Sequence, residues 1–426
     1  MTLDLLRLTT AGSVDDGKST LIGRLLYDSK LVFEDQHEHL AQASERRGGE
    51  GALDLALLTD GLRAEREQGI TIDVAYRYFA TARRRFIIAD CPGHQQYTRN
   101  MVTGASTADL AVVLIDARRG VVEQSRRHAF ISALLGIPHL VVAVNKMDLV
   151  DHAQERFEEI VAEFGSFAGH LQASARRGMD ISHIPMSALH GDNVVERSSL
   201  MPWYEGPPLL ELLETVDVAY DHPDDQAARF PVQWVVRPAG DEDGDYRGYA
   251  GQLASGSLRR GQEVEILPTG ARTRIAAIDT YDGELEEALA PMSLTLRLED
   301  ELDVSRGELI ASPEQPPTVG RELLADICWM AEQPLRPGGR YVLKHTARKA
   351  TAIVEAVEDV VDVETLARVA EGASLGLNDI GRVRLRTSAP LAYDAYAANR
   401  RTGSFILIDE AANGTVGAGM IAAPAS

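Results

Sequence analysis

The feature that most constrains the fold is a loop bounded by glycines near the amino terminus, Gly12-Ser-Val-Asp-Asp-Gly17-Lys18-Ser19. It matches the pattern G-x-x-x-x-G-K-[ST] and lies between a predicted strand, Leu5 to Thr9, and a predicted helix, Thr20 to Leu26. Glycines let the backbone fold tightly around a phosphate, while the loop amides and the helix N-terminus bind its charge. Lysine reaches the β- and γ-phosphates and serine ligates Mg²⁺. We expect a strand, loop and helix that bind a nucleotide phosphate.

The first half of the chain alternates short apolar runs with longer helical patterns, from Leu3 to about Val218. The runs Arg85–Asp90, Leu110–Ile115 and Leu140–Val144 have the composition of strands that are buried on both faces. This alternation predicts an α/β domain with a mainly parallel sheet flanked by helices.

The second half changes to short strands separated by turn residues, a pattern typical of small β-barrels. Val264–Ile266 and Ile275–Ile278 predict a hairpin around Pro268–Gly270, and Asn413-Gly414 predicts a two-residue turn.

Two polar, proline-containing segments mark the predicted domain boundaries, Ala219–Arg229 and Ser312–Thr318. We therefore expect a nucleotide-binding P-loop domain at 1–218 and two β-barrel domains at 229–313 and 319–426.

A second motif, Asp90-Cys-Pro-Gly93-His94, follows a predicted strand. Asp90 is placed where a carboxylate associated with Mg²⁺ belongs, Gly93 lets its amide approach the γ-phosphate, and His94 can position the attacking water. Cys91 is expected to be a small packing residue, since no base is implied beside it.

A third motif, Asn145-Lys146-Met147-Asp148, predicts selection of guanine. The Asp148 carboxylate can accept hydrogen bonds from guanine N1–H and its exocyclic amine, a pair that adenine does not present. Asn145 and the aliphatic part of Lys146 are expected to fix the ring. Ser187-Ala188-Leu189 offers a backbone donor for guanine O6.

A fourth segment, Glu65 to Asp73, lies between the phosphate loop and Asp90. Thr71 within it could contact Mg²⁺ and the γ-phosphate, which would make the segment a switch that is ordered by the triphosphate. The short basic runs Arg83–Arg85 and Arg118-Arg119 are expected to be solvated turns.

Composition limits the partners and the compartment. A net charge of -21 disfavours a broad grip on nucleic acid or anionic lipid, and the two cysteines, Cys91 and Cys328, are too far apart in sequence to indicate a disulfide framework. No apolar run is long enough to cross a bilayer, and the first residues leave no room for a signal peptide before the phosphate loop. We expect a cytoplasmic protein without a membrane partner.

Taken in order, these motifs resemble those of the elongation-factor class of translational GTPases. Beyond the motifs the chain resembles the GTPase (large) subunit of bacterial heterodimeric sulfate adenylyltransferase, over nearly its whole length. The phrases that carry this resemblance are Leu53–Leu58, Asp60–Phe79, Met201–Glu211, Glu301–Gly307 and Asn399–Asp409.

The resemblance implies GTP and Mg²⁺ as ligands. It assigns catalysis to Lys18 and His94, and Mg²⁺ to Ser19, Thr71 and, through a water molecule, Asp90. It assigns contacts with GTP to the following residues: Gly12, Ser13, Val14, Asp15, Asp16, Gly17, Lys18, Ser19, Thr20, Asp90, Cys91, Pro92, Gly93, His94, Asn145, Lys146, Met147, Asp148, Ser187, Ala188 and Leu189. The chain departs from the family at Cys91, where threonine is expected, and at Gln95, where glutamate is expected.

The resemblance also implies a partner, the small catalytic subunit that binds ATP and sulfate. That subunit transfers the adenylyl group of ATP to sulfate and releases pyrophosphate, and GTP hydrolysis would be coupled to this uphill reaction. Some relatives carry a fused adenylylsulfate kinase domain, which is not expected here because the sequence has one phosphate-loop motif and ends at Ser426.

Two other functions share the same nucleotide motifs. An elongation factor that delivers aminoacyl-tRNA to the ribosome would also have a GTP site and two barrels, and a stand-alone regulatory GTPase would leave the barrels without a role. The phrases Met201–Glu211 and Asn399–Asp409 favour sulfate activation.

Overall fold

The computed structural model describes residues 4–28, 73–94, 98–174, 178–218, 226–237, 246–370 and 374–422. Contacts divide the chain into two compact units. Unit 1 comprises Met1–Tyr220 with Asp362–Ala367, and unit 2 comprises Asp221–Val361 with Arg368–Ser426. None of the helices in the described ranges combines the length and the apolar character that a membrane span needs.

Unit 1 is built on a sheet that has six strands within the described residues, in the order β2-β3-β1-β4-β5-β6. β2 is antiparallel to β3 and the other neighbours are parallel. The strands are β1 Asp4–Ala11, β2 Ala75–Ala80, β3 Arg84–Asp90, β4 Leu110–Asp116, β5 His139–Asn145 and β6 Asp180–Pro185. The helices are α1 Lys18–Asp28, α2 Thr98–Ala105, α3 Glu123–Leu134, α4 Gln154–Ser174 and α5 Leu209–Thr215, and a 3₁₀-helix covers Met147–Val150.

The predicted α/β domain is confirmed, because the alternation of apolar strands with helices produces a mainly parallel sheet. Every residue of β4 and of β5 is buried, as their continuous apolar runs predict. α1 places Leu21, Ile22 and Leu25 in the same core as the strands, since these positions recur on one helical face.

Unit 2 contains two closed barrels, which confirms the predicted barrel architecture. In the first barrel the strand order is β10-β15-β7-β8-β14-β11, and pairing of β10 with β11 closes it. In the second barrel the strand order is β17-β21-β22-β16-β20-β18, and pairing of β17 with β18 closes it. The strands of the first are β7 Arg229–Val236, β8 Gly248–Gln252, β9 Ser257–Arg259, β10 Glu263–Leu267, β11 Ala271–Thr280, β12 Gly283–Leu285, β13 Glu287–Leu289, β14 Ser293–Leu298 and β15 Leu309–Ala311. Those of the second are β16 Thr318–Trp329, β17 Arg340–His345, β18 Arg348–Val361, β19 Arg368–Val369, β20 Ile380–Tyr393, β21 Ser404–Ile408 and β22 Thr415–Ile421.

The predicted β10–β11 hairpin is confirmed, but the predicted two-residue turn at Asn413-Gly414 is wrong. Ile408 pairs with Thr415, so the connection covers residues 409–414. The carboxylate of Asp409 accepts hydrogen bonds from the amides of Ala411 and Ala412 and thereby holds the longer loop. The sequence signal located the hairpin correctly and underestimated its loop.

The prediction that Arg83–Arg85 is a solvated turn is also wrong at its centre. Arg84 lies in β3, is buried, and donates hydrogen bonds to the carbonyl oxygens of Leu213 and Val216. It also forms an ion pair with Asp4 at 2.8 Å. A short basic run is compatible with burial when the guanidinium finds enough acceptors.

Candidate nucleotide site

The parallel sheet brings the sequence motifs to one edge. Thr10, just before the phosphate loop, pairs in register with Asp90 at the end of β3, and Asp116 at the end of β4 pairs with Asn145 at the end of β5. Carboxyl ends of parallel strands share one edge of a sheet, where α/β proteins bind their ligands. Asp90, Asp116 and Asn145 are all buried there.

The phosphate loop is folded around the amine of Lys18. This side chain is only 7% exposed, and its Nζ donates hydrogen bonds to the carbonyl oxygens of Gly12 at 2.9 Å and Ser13 at 2.8 Å. Burial lowers the pKa of Lys18, and the negative charges of Asp90 and Asp16 oppose that effect. Asp16 accepts a hydrogen bond from the Ser13 amide at 2.6 Å, while burial raises its own pKa. The loop thus encloses the amine of Lys18, whose positive charge a bound anion could balance.

The second motif packs directly against this loop. A Cβ atom added at Gly93 would overlap Lys18 Nζ and would lie 2.5 Å from the Gly12 carbonyl oxygen, so only glycine fits. Asp90 accepts a long hydrogen bond from Thr10 Oγ1 at 3.5 Å, and His94 is exposed. The backbone at position 93 therefore approaches the phosphate loop as closely as a side-chain-free residue can.

Cys91, next to Asp90, is fully buried. Its Sγ lies 3.2 Å from Thr9 Oγ1, and burial raises the pKa of the thiol to about 12. A Cβ at Gly104 of α2 would lie 2.5 Å from this sulfur. Such an enclosed, protonated thiol packs in the core, and it has the properties of a structural rather than a nucleophilic cysteine.

Asn145 connects the phosphate loop to the Ser187–Leu189 segment. Its Nδ2 donates to the carbonyl oxygen of Asp16 at 2.8 Å, and its Oδ1 accepts from the amide of Ala188 at 2.9 Å. Gly17, with φ at +96°, has no room for a Cβ because Asn145 Nδ2 occupies that space. One buried amide therefore joins two loops that are separated by more than 160 positions of sequence.

The sequence interpretation missed Asp116. This carboxylate is 2% exposed and accepts hydrogen bonds from Lys146 Nζ at 2.9 Å and from Arg118 at 2.6 Å. Burial would raise the pKa of Asp116, but the hydrogen bonds from Arg118 and Lys146 hold it well below its ordinary value. Arg118 lies in an exposed turn, as predicted, and its ion pair with Asp116 was not predicted. Asp116 could have been found as a charged residue that ends an apolar strand.

Lys146 also donates to the carbonyl oxygen of Asp15 in the phosphate loop. Its φ of +64° is left-handed, so its backbone turns sharply as β5 leads into the 3₁₀-helix that carries Asp148. The amine is thereby held between Asp15 and Asp116, which fixes the direction of the lysine stem.

The predicted base-selecting residue, Asp148, lies near a second residue that the sequence interpretation missed. Asp148 Oδ2 is 3.9 Å from His190 Nε2. The segment before His190 is held by Arg24 of α1, which donates to the carbonyl oxygens of Ala188 and Leu189. Asp148 and the 187–189 segment are therefore both anchored at this end of the site.

The remaining predicted residues fall on the same loops. Ser19 and Thr20 are the second and third residues of α1, Val14 and Pro92 lie in the two phosphate-side loops, and Met147 is buried at the start of the 3₁₀-helix. Ser187 is buried and pairs with Asp192. Thr71 lies outside the described residues, and so does Gln95.

Comparison with known proteins gives two family matches. The elongation factor Tu GTP binding domain matches residues 4–222, and the GTP-eEF1A C-terminal domain-like family matches residues 322–422. The crystal structure of sup35 complexed with GDP aligns with a TM-score of 0.45 at 24% identity, covering 100% of this chain and 95% of that one.

Among curated proteins, the bifunctional enzyme CysN/CysC from two strains of Mycobacterium tuberculosis is 58% identical over 418 residues. The alignment covers 98% of this chain and 67% of that protein. Together with the match that spans residues 4–222, this identity shows that the chain belongs to the elongation factor Tu type of GTP-binding proteins and, within them, to the GTPase subunits of sulfate adenylyltransferase.

Proposed function

We propose that this chain binds GTP with Mg²⁺ across the sheet edge described above. The observation that carries the proposal is the pair of hydrogen bonds made by Asn145, because they tie the phosphate loop to the segment that precedes His190. In this proposal the phosphate-binding and base-binding groups belong to one site, with Lys18 at one end and Asp148 at the other.

The phosphate end fits an anionic ligand. Lys18 is a buried cation whose hydrogen bonds within the described residues go to carbonyl oxygens, so a phosphate would supply the counter-charge that burial makes favourable. Free amides of the phosphate loop and the start of α1 would add further donors for the same phosphate. Ser19, Thr71 and, through water, Asp90 would hold Mg²⁺, which neutralises phosphate charge when bound.

The base end fits guanine. Asp148 would accept hydrogen bonds from N1–H and the exocyclic amine. The Ala188 amide already donates to Asn145 Oδ1, so we assign the donor for guanine O6 to the next amide, that of Leu189. Asn145 then acts mainly by positioning the loops, and the stem of Lys146 covers the ring.

Hydrolysis requires little covalent chemistry from the protein. Lys18 and the loop amides would stabilise charge on the transferred phosphoryl group, the Gly93 amide would contact its γ-oxygens, and His94 would orient the attacking water. His94 is exposed in this structure, which leaves it accessible to solvent water.

We further propose that GTP hydrolysis on this chain is coupled to the formation of adenylylsulfate and pyrophosphate from ATP and sulfate by a small catalytic subunit. The 58% identity with CysN/CysC supports this assignment over aminoacyl-tRNA delivery. Three domains, at 1–218, 229–313 and 319–426, would relay the nucleotide state to that partner. A cytoplasmic location agrees with the two buried cysteines, Cys91 and Cys328, which form no disulfide in the described chain.

The test mixes the purified chain with the candidate small subunit and measures adenylylsulfate formation with and without GTP. We expect GTP to increase product formation, and Lys18→Ala to remove the increase. If tRNA or ribosomes stimulate GTP hydrolysis while the small subunit with ATP and sulfate does not, the chain is a delivery factor instead.

A further inference from the structure

We propose that Trp203 is a positioning residue for base recognition, because its indole holds the turn that follows Asp148. The inference rests on the proposed function, since it takes Asp148 as the group that selects guanine. It concerns the phrase Met201–Glu211, to which the proposed site assigns no contact with the nucleotide. The preference for guanine then depends on a side chain outside the groups that bind GTP.

The segment that carries Asp148 is bounded by backbone in an unfavourable conformation. Lys146 before it has a φ of +64°, and Asp151 and His152 after it both have a φ of +55°. Residues with a Cβ atom are disfavoured in this left-handed region and stay there only when the surrounding structure holds them. The short 3₁₀-helix Met147–Val150 therefore depends on contacts from outside it.

Two hydrogen bonds close the turn onto one carbonyl oxygen. The amides of Asp151 and His152 both donate to the carbonyl oxygen of Met147, and the bond from His152 measures 2.9 Å. Met147 is fully buried, and its own amide donates to the carbonyl oxygen of Met186 at 3.2 Å. A shift of His152 would therefore displace Met147, the residue directly before Asp148.

The indole of Trp203 fixes His152. Its Nε1 donates to the carbonyl oxygen of His152 at 3.1 Å, and the centroid of its ring lies 5.4 Å from that of Phe157. Phe157 belongs to the first turn of α4, a few residues after the left-handed pair. The indole thus joins the end of the turn to the start of α4, and its N–H supplies the hydrogen bond that holds the His152 carbonyl group.

The segment that carries Trp203 is itself anchored. Met201 is buried, and the Tyr204 amide donates to its carbonyl oxygen at 3.1 Å. The hydroxyl of Tyr204 donates to the carbonyl oxygen of Pro207 at 3.1 Å, and its ring packs edge-on against Phe157 at 6.3 Å. Because these contacts do not involve the indole N–H, removing that one donor should release the turn without unfolding the segment.

The chemistry of the base makes guanine more sensitive to this contact than a related base. Guanine presents N1–H and an exocyclic amine and so engages both carboxylate oxygens, whereas hypoxanthine presents N1–H alone. Two parallel hydrogen bonds require one orientation of the carboxylate, and a single bond tolerates rotation. A displaced Asp148 should therefore weaken the binding of guanine more than the binding of hypoxanthine.

The experiment measures the Kd of GDP and of inosine diphosphate for the whole chain, by competition with labelled GDP. The variant Trp203→Phe keeps an aromatic ring beside Phe157 and removes the indole N–H. We expect the ratio of the affinity for GDP to that for inosine diphosphate to fall about two- to tenfold, the factor that one net hydrogen bond contributes. A ratio equal to that of the parent would overturn the inference.

Trp329→Phe in unit 2 is the matched control. The Nε1 of Trp329 also donates to a carbonyl oxygen, that of Gln333 at 2.8 Å, and its ring centroid also lies 5.4 Å from an aromatic ring, that of Tyr341. This variant loses the same kind of hydrogen bond away from the nucleotide, so its ratio should stay at the parental value. A ratio that fell equally in both variants would show a general loss of structure and would also overturn the inference.

Asp148→Ala separates failure of this inference from failure of the proposed function. This variant should remove the preference for GDP, and adding Trp203→Phe to it should not change the ratio further, since Trp203 acts through Asp148. If the parent does not prefer GDP, or Asp148→Ala keeps the preference, the proposed function fails. If both expectations hold and Trp203→Phe has the parental ratio, only the role of Trp203 fails.

Phe157→Leu keeps the test decisive if Trp203→Phe does not fold. It retains the indole N–H and removes the ring against which the indole packs, so the ratio should again fall. In that case a folded Phe157→Leu protein with the parental ratio would overturn the inference.

Discussion

The two structural units both bury charged side chains, but they satisfy them differently. In unit 2, Arg229 is buried and donates to both carboxylate oxygens of Asp394, at 2.9 and 3.0 Å. Buried Asp326 likewise receives hydrogen bonds from Arg382 and an ion pair from Arg368. Each buried charge there meets a direct counter-charge, which is how a protein can enclose ions without a ligand.

In unit 1, Lys18 is buried to a similar degree and forms no ion pair with any residue in the described ranges. Its nearest acceptors are backbone carbonyls, and burial lowers its pKa. An enclosed charge without a counter-charge is unfavourable in a stable fold and common at functional sites. The comparison teaches that these pairs in unit 2 hold the barrels, whereas in unit 1 the phosphate loop leaves the charge of Lys18 for an anion, although Arg84 and Asp116 of the same unit are paired directly.

Removing the buried amine of Lys18 should have the largest effect on GTP binding. We expect Lys18→Ala to weaken GTP binding by about 30- to 5,000-fold, equivalent to about 2–5 kcal/mol for the loss of one partner of a buried, hydrogen-bonded charge pair. The melting temperature should not fall, because the variant removes a desolvated cation. Titration with labelled GTP checks this, with Lys344→Ala in β17 as control. An unchanged affinity would show that Lys18 does not bind phosphate.

Removing one partner of the buried Arg229–Asp394 ion pair should instead destabilise unit 2. Asp394→Ala leaves Arg229 buried without its carboxylate, so we expect the free energy of unfolding of unit 2 to fall by about 3–5 kcal/mol. GTP affinity should stay at the parental value. Urea unfolding followed by tryptophan fluorescence measures the loss, since Trp234 and Trp329 belong to this unit.

A matched double variant tests the cause. Replacing Arg229 and Asp394 together by leucine removes both charges, so most of the lost stability should return. A double variant that is as unstable as Asp394→Ala would mean that the hydrogen bond from Thr402 to Asp394, at 2.6 Å, accounts for the effect instead.

Replacing the exposed residue His94 should lower the rate of GTP hydrolysis without changing the affinity for GTP. His94 is exposed and so contributes little to packing, and we expect His94→Ala to slow single-turnover GTP hydrolysis by about 100-fold or more while the Kd of GTP is unchanged. The measurement is phosphate release after rapid mixing with Mg²⁺. Hydrolysis at the parental rate would remove the assigned role of this histidine.

The sequence predicted the strands and the loops of the site well because local patterns encode them. The all-apolar runs identified β4 and β5, and the spacing of Gly12, Gly17 and Lys18 identified the phosphate loop. The contacts of Ser19, Asp90 and Asp148 with Mg²⁺ and the nucleotide stay predictions.

The sequence did not predict the contacts between segments that are distant along the chain. Arg24, Asp116 and His190 carry no motif, and their roles depend on which loops the sheet places side by side. The role of Asn145 in fixing the base stays a prediction, and the contacts by which its amide joins Asp16 to Ala188 were not predicted. Such contacts follow from topology, so a single sequence read by local pattern cannot supply them.

The smallest predicted effect concerns a buried histidine in each unit. His128 of α3 is 1% exposed, burial lowers its pKa to about 3, and its Nδ1 has no hydrogen-bond partner in the described chain. Buried His345 of unit 2 has a pKa that burial also lowers, but its Nε2 lies 2.7 Å from the carbonyl oxygen of Thr402, which opposes the shift. His128 Nε2 lies 2.9 Å from Gln124 Nε2, so the two histidines differ in the carbonyl acceptor that opposes the pKa shift of His345.

The sign of the pH effect follows from proton uptake. Unfolded His128 binds a proton near pH 6.5 and the folded form near pH 3, so its contribution to stability is complete above the first value and is lost on acidification. Between about pH 7.5 and 5.5 we expect unit 1 to lose about 1 kcal/mol through this residue. His128→Gln should reduce the loss of stability measured by thermal unfolding, and His345→Gln should reduce it less. Because the lowered pKa of Asp116 acts only below about pH 4, a loss that His128→Gln leaves unchanged would come from another buried base, such as Lys18 or a second histidine.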